Sequence, residues 1–168
     1  MKTFTLPEPS PEQQIVGSNL SDFLADRRQQ IISDWIIGIQ NEKQVPAARE
    51  LTESQIKDHI PQILDDLNRT LTDAFSQEIK DRAAWRAASH GDIRWHQRYD
   101  IAQVIREISI LRTILVYRLA EFQEEHGPQS CGKPGSFAMV VVHSFFDRVI
   151  RLSVEQFLAT GQLIKRQE

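Results

Sequence analysis

IAQVIREISILRTILVYRLAEF, residues 101–122, sets Ile101, Val104, Ile105, Ile108, Leu111, Ile114, Leu115, Leu119 and Phe122 at the three- and four-residue steps of one helix face. Asp100 with Gln103 supplies an N-terminal cap, and Gly127-Pro128 closes the helix. Upstream, Ile79, Ala83 and Ala87 predict a shorter helix over 77–89, with Gly91 as a left-handed stop that leaves His90 in the last turn. Thr52-Glu53-Ser54-Gln55 reads as a capping box, and Pro61 divides the helix it opens into two pieces before Ile63, Leu64, Leu67 and Leu71 resume the stripe. From Asn19 to about Gln40, Leu20, Phe23, Leu24, Ile31, Ile32, Trp35, Ile36 and Ile39 predict one amphipathic helix. Downstream, Ser136 caps a final helix reaching Leu158 or beyond.

No stretch alternates with the two-residue period of a strand, so the chain reads as all-α. The expected architecture is a single bundle of five or six helices, a globin-like arrangement being one form of it. Pro7, Pro9 and Pro11 mark residues 1–14 as a flexible leader, 15–160 as the helical domain and 161–168 as the helix end or a linker. With 168 residues one core is the default. Twenty Lys and Arg against 23 Asp and Glu argue against a general nucleic-acid binder. The longest apolar run, Phe137–Val142, is far short of the roughly 20 residues that span a bilayer. Cys131 has no second cysteine, and MKTFTLPEPSP lacks a secretory apolar core, so a reducing cytoplasm is expected.

Candidate chemistry is sparse. Gly127–Lys133 matches the start of a phosphate-binding loop, but Pro134 stands where Ser or Thr would hold magnesium, and a helix precedes it rather than a strand. The histidines show no metal-binding spacing beyond the lone pairs His96/Asp100 and His143/Asp147, which implies no metal and no cofactor. His143, on an apolar helix, is the histidine expected to meet a buried polar contact or a pocket. Ser89-His90-Gly91-Asp92-Ile93-Arg94 resembles a phosphoacceptor site in outline, yet a histidine beside a glycine stop fits a helix C-terminus better. Residues 80–98 carry five cations against two acids, with Trp85, Trp95 and Tyr99 interleaved; packing and salt bridges explain them as readily as nucleic acid. The helices near 104–119 and 137–150 are apolar on most sides. Each is either central to the core or shared with a second copy, through Ile110, Ile114, Val141 and Phe145.

Taken in order, Leu51-Thr52-Glu53-Ser54-Gln55, Asp58-His59-Ile60-Pro61, His90-Gly91 with Arg94, Tyr99-Asp100, Arg106-Glu107 and Leu111-Arg112 resemble the N-terminal domain of RsbRD-type proteins from about Leu20 to Leu158. The pattern departs from that family at Arg98, where Gly is expected, and at Ile108, where an aromatic is expected. The resemblance implies a helical regulatory domain, found before the output domain of RsbT co-antagonists of the stressosome and ahead of histidine kinase cores. The expectation is therefore a non-catalytic signalling domain. It would form a homodimer and act on a histidine kinase or stressosome-type partner through its last helix, with His90, Arg94, Tyr99, Arg106, Arg112 and His143 as candidate ligand- or partner-binding residues. Two alternatives stand beside it: a helical sensor for a small apolar ligand or haem, and a phosphotransfer protein using His90.

Overall fold

The computed structural model describes residues 8–127 and 137–165, and among them it is all-α with no strand. In chain order the elements are α1 Pro11–Asp26, α2 Arg28–Asn41, a 3-10 turn Pro46–Glu50, the five-residue α3 Glu53–Lys57, α4 Ile60–Thr72, α5 Gln77–His96, α6 Ile101–His126 and α7 Phe137–Lys165. No helix among the described residues is long and apolar enough to cross a membrane. Most of the stripe on α6 is buried, with Val104, Ile108, Leu111, Leu115, Leu119 and Phe122 inside, while Ile101 and Ile114 are half-buried at its margins and Ile105 is exposed. It packs on α2 and α7, α1 lies on α4, and the most extensive helix pair is α5 with α7.

The predicted caps at Asp100 and Thr52 are present. Asp100 accepts from the Gln103 amide at 2.9 Å, and Thr52 and Gln55 exchange the two bonds of a capping box. The division before α4 is also as expected, with Pro61 in its first turn, where a missing N–H costs nothing.

Three expectations change. The leader is shorter than residues 1–14, because Ser10 and Gln13 form a further capping box and Pro11 takes the first helical position of α1. The helix expected over 19–40 divides at Arg27 (φ −98°, ψ 7°), whose guanidinium lies 3.6 Å from the Phe23 ring centroid and pairs with Glu125 at 2.8 Å. From Leu24 to Ile31 is two helical turns, so the apolar phase runs straight across the break and periodicity cannot register it. Finally, α5 does not stop at Gly91 but continues to His96. Gly91 is there for space: a Cβ on it would lie 1.9 Å from the Ser153 carbonyl oxygen of α7. Ser153 Oγ donates to the Ala87 carbonyl at 2.8 Å and Thr160 Oγ1 to Asp92 at 2.7 Å, so α5 and α7 run parallel in close contact.

Val141 and Phe145, expected at an interface between copies, are buried in the core of the single chain at 1% and 7% exposure. Ile110 and Ile114 are half-buried against that core. Residues 128–136, which hold all of the phosphate-loop-like motif but Gly127, along with Cys131 and the Ser136 cap, lie outside the described residues, as do 1–7 and 166–168.

Val141→Asp should therefore unfold the chain rather than dissociate it, read as loss of helical circular dichroism. Gly91→Ala should destabilise by about 3 kcal/mol in urea titration, since backbone rather than a flexible side chain must yield.

Candidate functional site

On α5 the core-facing line Ala83, Ala87, His90, Gly91, Arg94 ends in charge, and on α6 Glu107 interrupts the apolar stripe between Val104 and Leu111. These polar positions meet. Arg94 and Glu107 are both fully buried, with Arg94 Nε donating to Glu107 Oε1 at 2.8 Å. The rest of the guanidinium is spent on backbone and amide oxygens. Nη1 donates to Gln97 Oε1 at 2.6 Å and the Gln55 carbonyl at 3.2 Å, and Nη2 to the Ile56 carbonyl at 2.8 Å. Arg94 thus satisfies carbonyls of α3 that no helical partner reaches. From α2, the Trp35 indole donates to the Glu107 carbonyl at 2.9 Å, so four helices converge on one ion pair.

Two further side chains complete the centre. Tyr99 is buried, with Arg94 5.1 Å from its ring centroid. His90 Nε2 lies 2.7 Å from Glu107 Oε1 but off the line that an N–H bond requires, so both ring nitrogens lack a directional partner. The Tyr99 hydroxyl and Glu107 Oε2 are buried without one as well. Burial lowers the His90 pKa below the ordinary value even though Glu107 pulls the other way. Burial alone would raise Glu107, but Arg94 and then His90 outweigh it and hold the carboxyl below the ordinary range. Burial and the Glu107 charge push the Tyr99 phenol up. Asp58 resists its own burial penalty and is held low by His59, Arg94 and His90; its Oδ2 lies 2.6 Å from His59 Nδ1.

The turn into α6 places Arg98 in a left-handed conformation. The Tyr99 amide donates to the Arg94 carbonyl and the Arg98 amide to the Trp95 carbonyl, both at 3.1 Å, forming a Schellman ending with Arg98 at φ +62°. That position is the one glycine occupies without steric cost.

Of the six predicted contact residues, three come together: His90, Arg94 and Tyr99. All three are buried, so none is a surface contact, and His90 lies in mid-helix instead of at a helix end. Arg106 sits at the surface paired with Glu42 at 2.5 Å, and Arg112 ties α6 to α7 through Asp147 at 2.9 Å. His143 is exposed on α7 and lines no pocket described, against the expected buried contact. The sequence reading missed Glu107 as a site residue, along with Asp66, a second buried acid that joins α4 to Arg82 and Arg86 of α5. A charge falling in phase with an apolar stripe was the signal for both.

Glu107→Gln should cost about 3–5 kcal/mol in urea, because Arg94 keeps its burial and loses its counter-charge. Arg106→Ala should leave stability almost unchanged. His90 is depressed when folded, so below about pH 6.5 the unfolded chain takes up a proton the folded chain resists, and stability falls with pH. Glu107, depressed too, contributes stability above about pH 4.3 that is lost as pH drops towards its folded value. The urea midpoint should decline from pH 7 to pH 5, and more shallowly in His90→Asn. Arg98→Gly should stabilise by about 1 kcal/mol, raising Tm by about 2–4 °C. Comparison of the chain with protein-family models, with curated proteins and with solved structures finds no match.

Proposed function

We propose that this chain is a non-catalytic regulatory domain of bacterial signal transduction, similar to the N-terminal domains of RsbRD-type proteins, which biases a histidine kinase or stressosome-type partner. The observation that carries the reading is the convergence of His90, Arg94, Tyr99 and Glu107, four residues of the family-like pattern, with Asp58 beside them, on one buried centre. Such a centre positions helices against one another and offers nothing to a substrate. His90, at 0% exposure, is out of reach of a phosphodonor, which weighs against phosphotransfer.

The output runs through α7. At 29 residues it is about 43 Å long, and its partners α5 and α6 carry the buried centre, so a shift there moves α7. Two copies would pair through the α2–α6 side, where Ile37 and Tyr117 are exposed and Ile110 and Ile114 half-buried.

Purified chain added to an RsbT-type or histidine kinase encoded beside it should change the kinase's autophosphorylation rate and acquire no acid-labile phosphate. No effect on such kinases, or label on His90, would overturn the reading. Light scattering should give twice the chain mass, falling to one in Tyr117→Asp with helicity intact.

A further inference from the structure

Below the Gly91–Ser153 contact, α5 and α7 separate towards their N-terminal ends. The space between them, closed on a third side by α4, is a pocket of about 130 Å³. Ala83 and Ala87 leave it open on the α5 side, and Val141, Phe145 and Val149 form its apolar wall on α7. Its size is close to that of engineered apolar cavities of about 150 Å³ that take up benzene.

The charge on the pocket is of one sign. Lys80 and Arg148 line it, and among the described residues no Asp or Glu does. Among the described residues the Lys80 ammonium reaches only the Phe75 carbonyl, at 3.3 Å, and the Phe75 ring. Arg151, one turn along α7, is paired with Glu155 at 2.8 Å, whereas Arg148 has no acid partner among the described residues. Arg27, Arg28, Arg82, Arg86, Arg94, Arg106, Arg112 and Arg118 meet carboxylates, and Arg49, Arg69 and Arg98 share with Arg148 the lack of one among the described residues; what sets Arg148 apart is its place at the edge of an apolar pocket beside a second cation.

We propose that this pocket binds a small monocarboxylate, with a short aliphatic or single-ring body against Ala83, Ala87, Phe145 and Val149 and its carboxylate between Arg148 and Lys80. The apolar body fits the volume, and the acid supplies the counter-charge that the protein withholds. The site stands on its own geometry. Its role as the sensed input rests on the regulatory reading above: the ligand would fill the gap between α5 and α7 on the same helix pair that joins the buried centre to the output helix.

The experiment is a titration of the full chain with hexanoate and benzoate, followed by amide chemical shifts, with hexanamide as the uncharged control. Saturable shifts confined to residues of α4, α5 and α7 around the pocket are expected, tighter for hexanoate than for hexanamide. Arg148→Gln, a partly exposed change that leaves the core intact, should raise the hexanoate Kd about tenfold, as expected for loss of a charge-assisted contact, and leave hexanamide unchanged. Ala83→Leu fills the pocket and should abolish both. Absence of saturable shifts, shifts centred elsewhere, or equal affinity in Arg148→Gln would overturn the site. Repeating the kinase assay with hexanoate separates the two readings. Saturable binding with no change in any kinase assay retains the pocket and removes the regulatory role, while a kinase effect from a chain that does not bind hexanoate does the reverse.

Discussion

The Arg94–Glu107 pair constrains the rest of the structure because neither charge can be left alone where it sits. A buried ion pair gains little over apolar packing of equal volume, but loss of one partner is severe. The guanidinium also closes the carbonyl ends of α3 and holds Gln97, while the Trp35 indole bonds to the backbone of Glu107 itself. Helices that apolar packing would let slide are thereby held to one register. The buried atoms left without a directional partner, on His90, Tyr99 and Glu107, make this centre polar beyond what its internal bonds satisfy. Its composition suits a part whose arrangement matters more than its stability.

Around this centre the molecule changes character along the α5–α7 pair. At Gly91 the helices touch backbone to backbone, and Ser153 and Thr160 stitch them with hydroxyl bonds. Towards their N-termini the alanines of α5 face the aromatic and branched residues of α7 across a gap edged by Lys80 and Arg148. The tight end is fixed by sterics, and the open end by small side chains. A helix pair pinned at one end and loose at the other is suited to convert occupancy of the gap into a small movement of α7, which is the motion the proposed regulatory role requires.

Much of the architecture was legible because helix formation here is written in local, periodic signals. The stripes of α2, α4 and α6 follow three- and four-residue steps, and the caps at Thr52 and Asp100 use side chains within three residues of the amides they satisfy. The misreadings have a common source. Gly91 is a helix stop by local rules, but its reason for being glycine lies 62 positions away in Ser153. Pro11 marked disorder only until Ser10 and Gln13 were seen to close a cap around it, and the break at Arg27 preserves the apolar phase that would have revealed it.

The site divides in the same way. The sequence by itself determined an all-α chain, its main apolar faces and the caps at Thr52 and Asp100. It could not distinguish inward-facing charges from surface ones, since Arg94 and Arg106 look alike in one dimension, yet Arg94 faces the core, Arg106 the surface, and its neighbour Glu107 the core again. Only the tertiary structure decided that His90, Arg94, Tyr99 and Glu107 are one buried centre, that Val141 and Phe145 belong to the core of the single chain, and that His143 is exposed. Periodicity reports the phase of a residue on its own helix. Whether a charge at that phase is stabilised depends on a counter-charge from another helix, and that pairing exists only once the helices have packed.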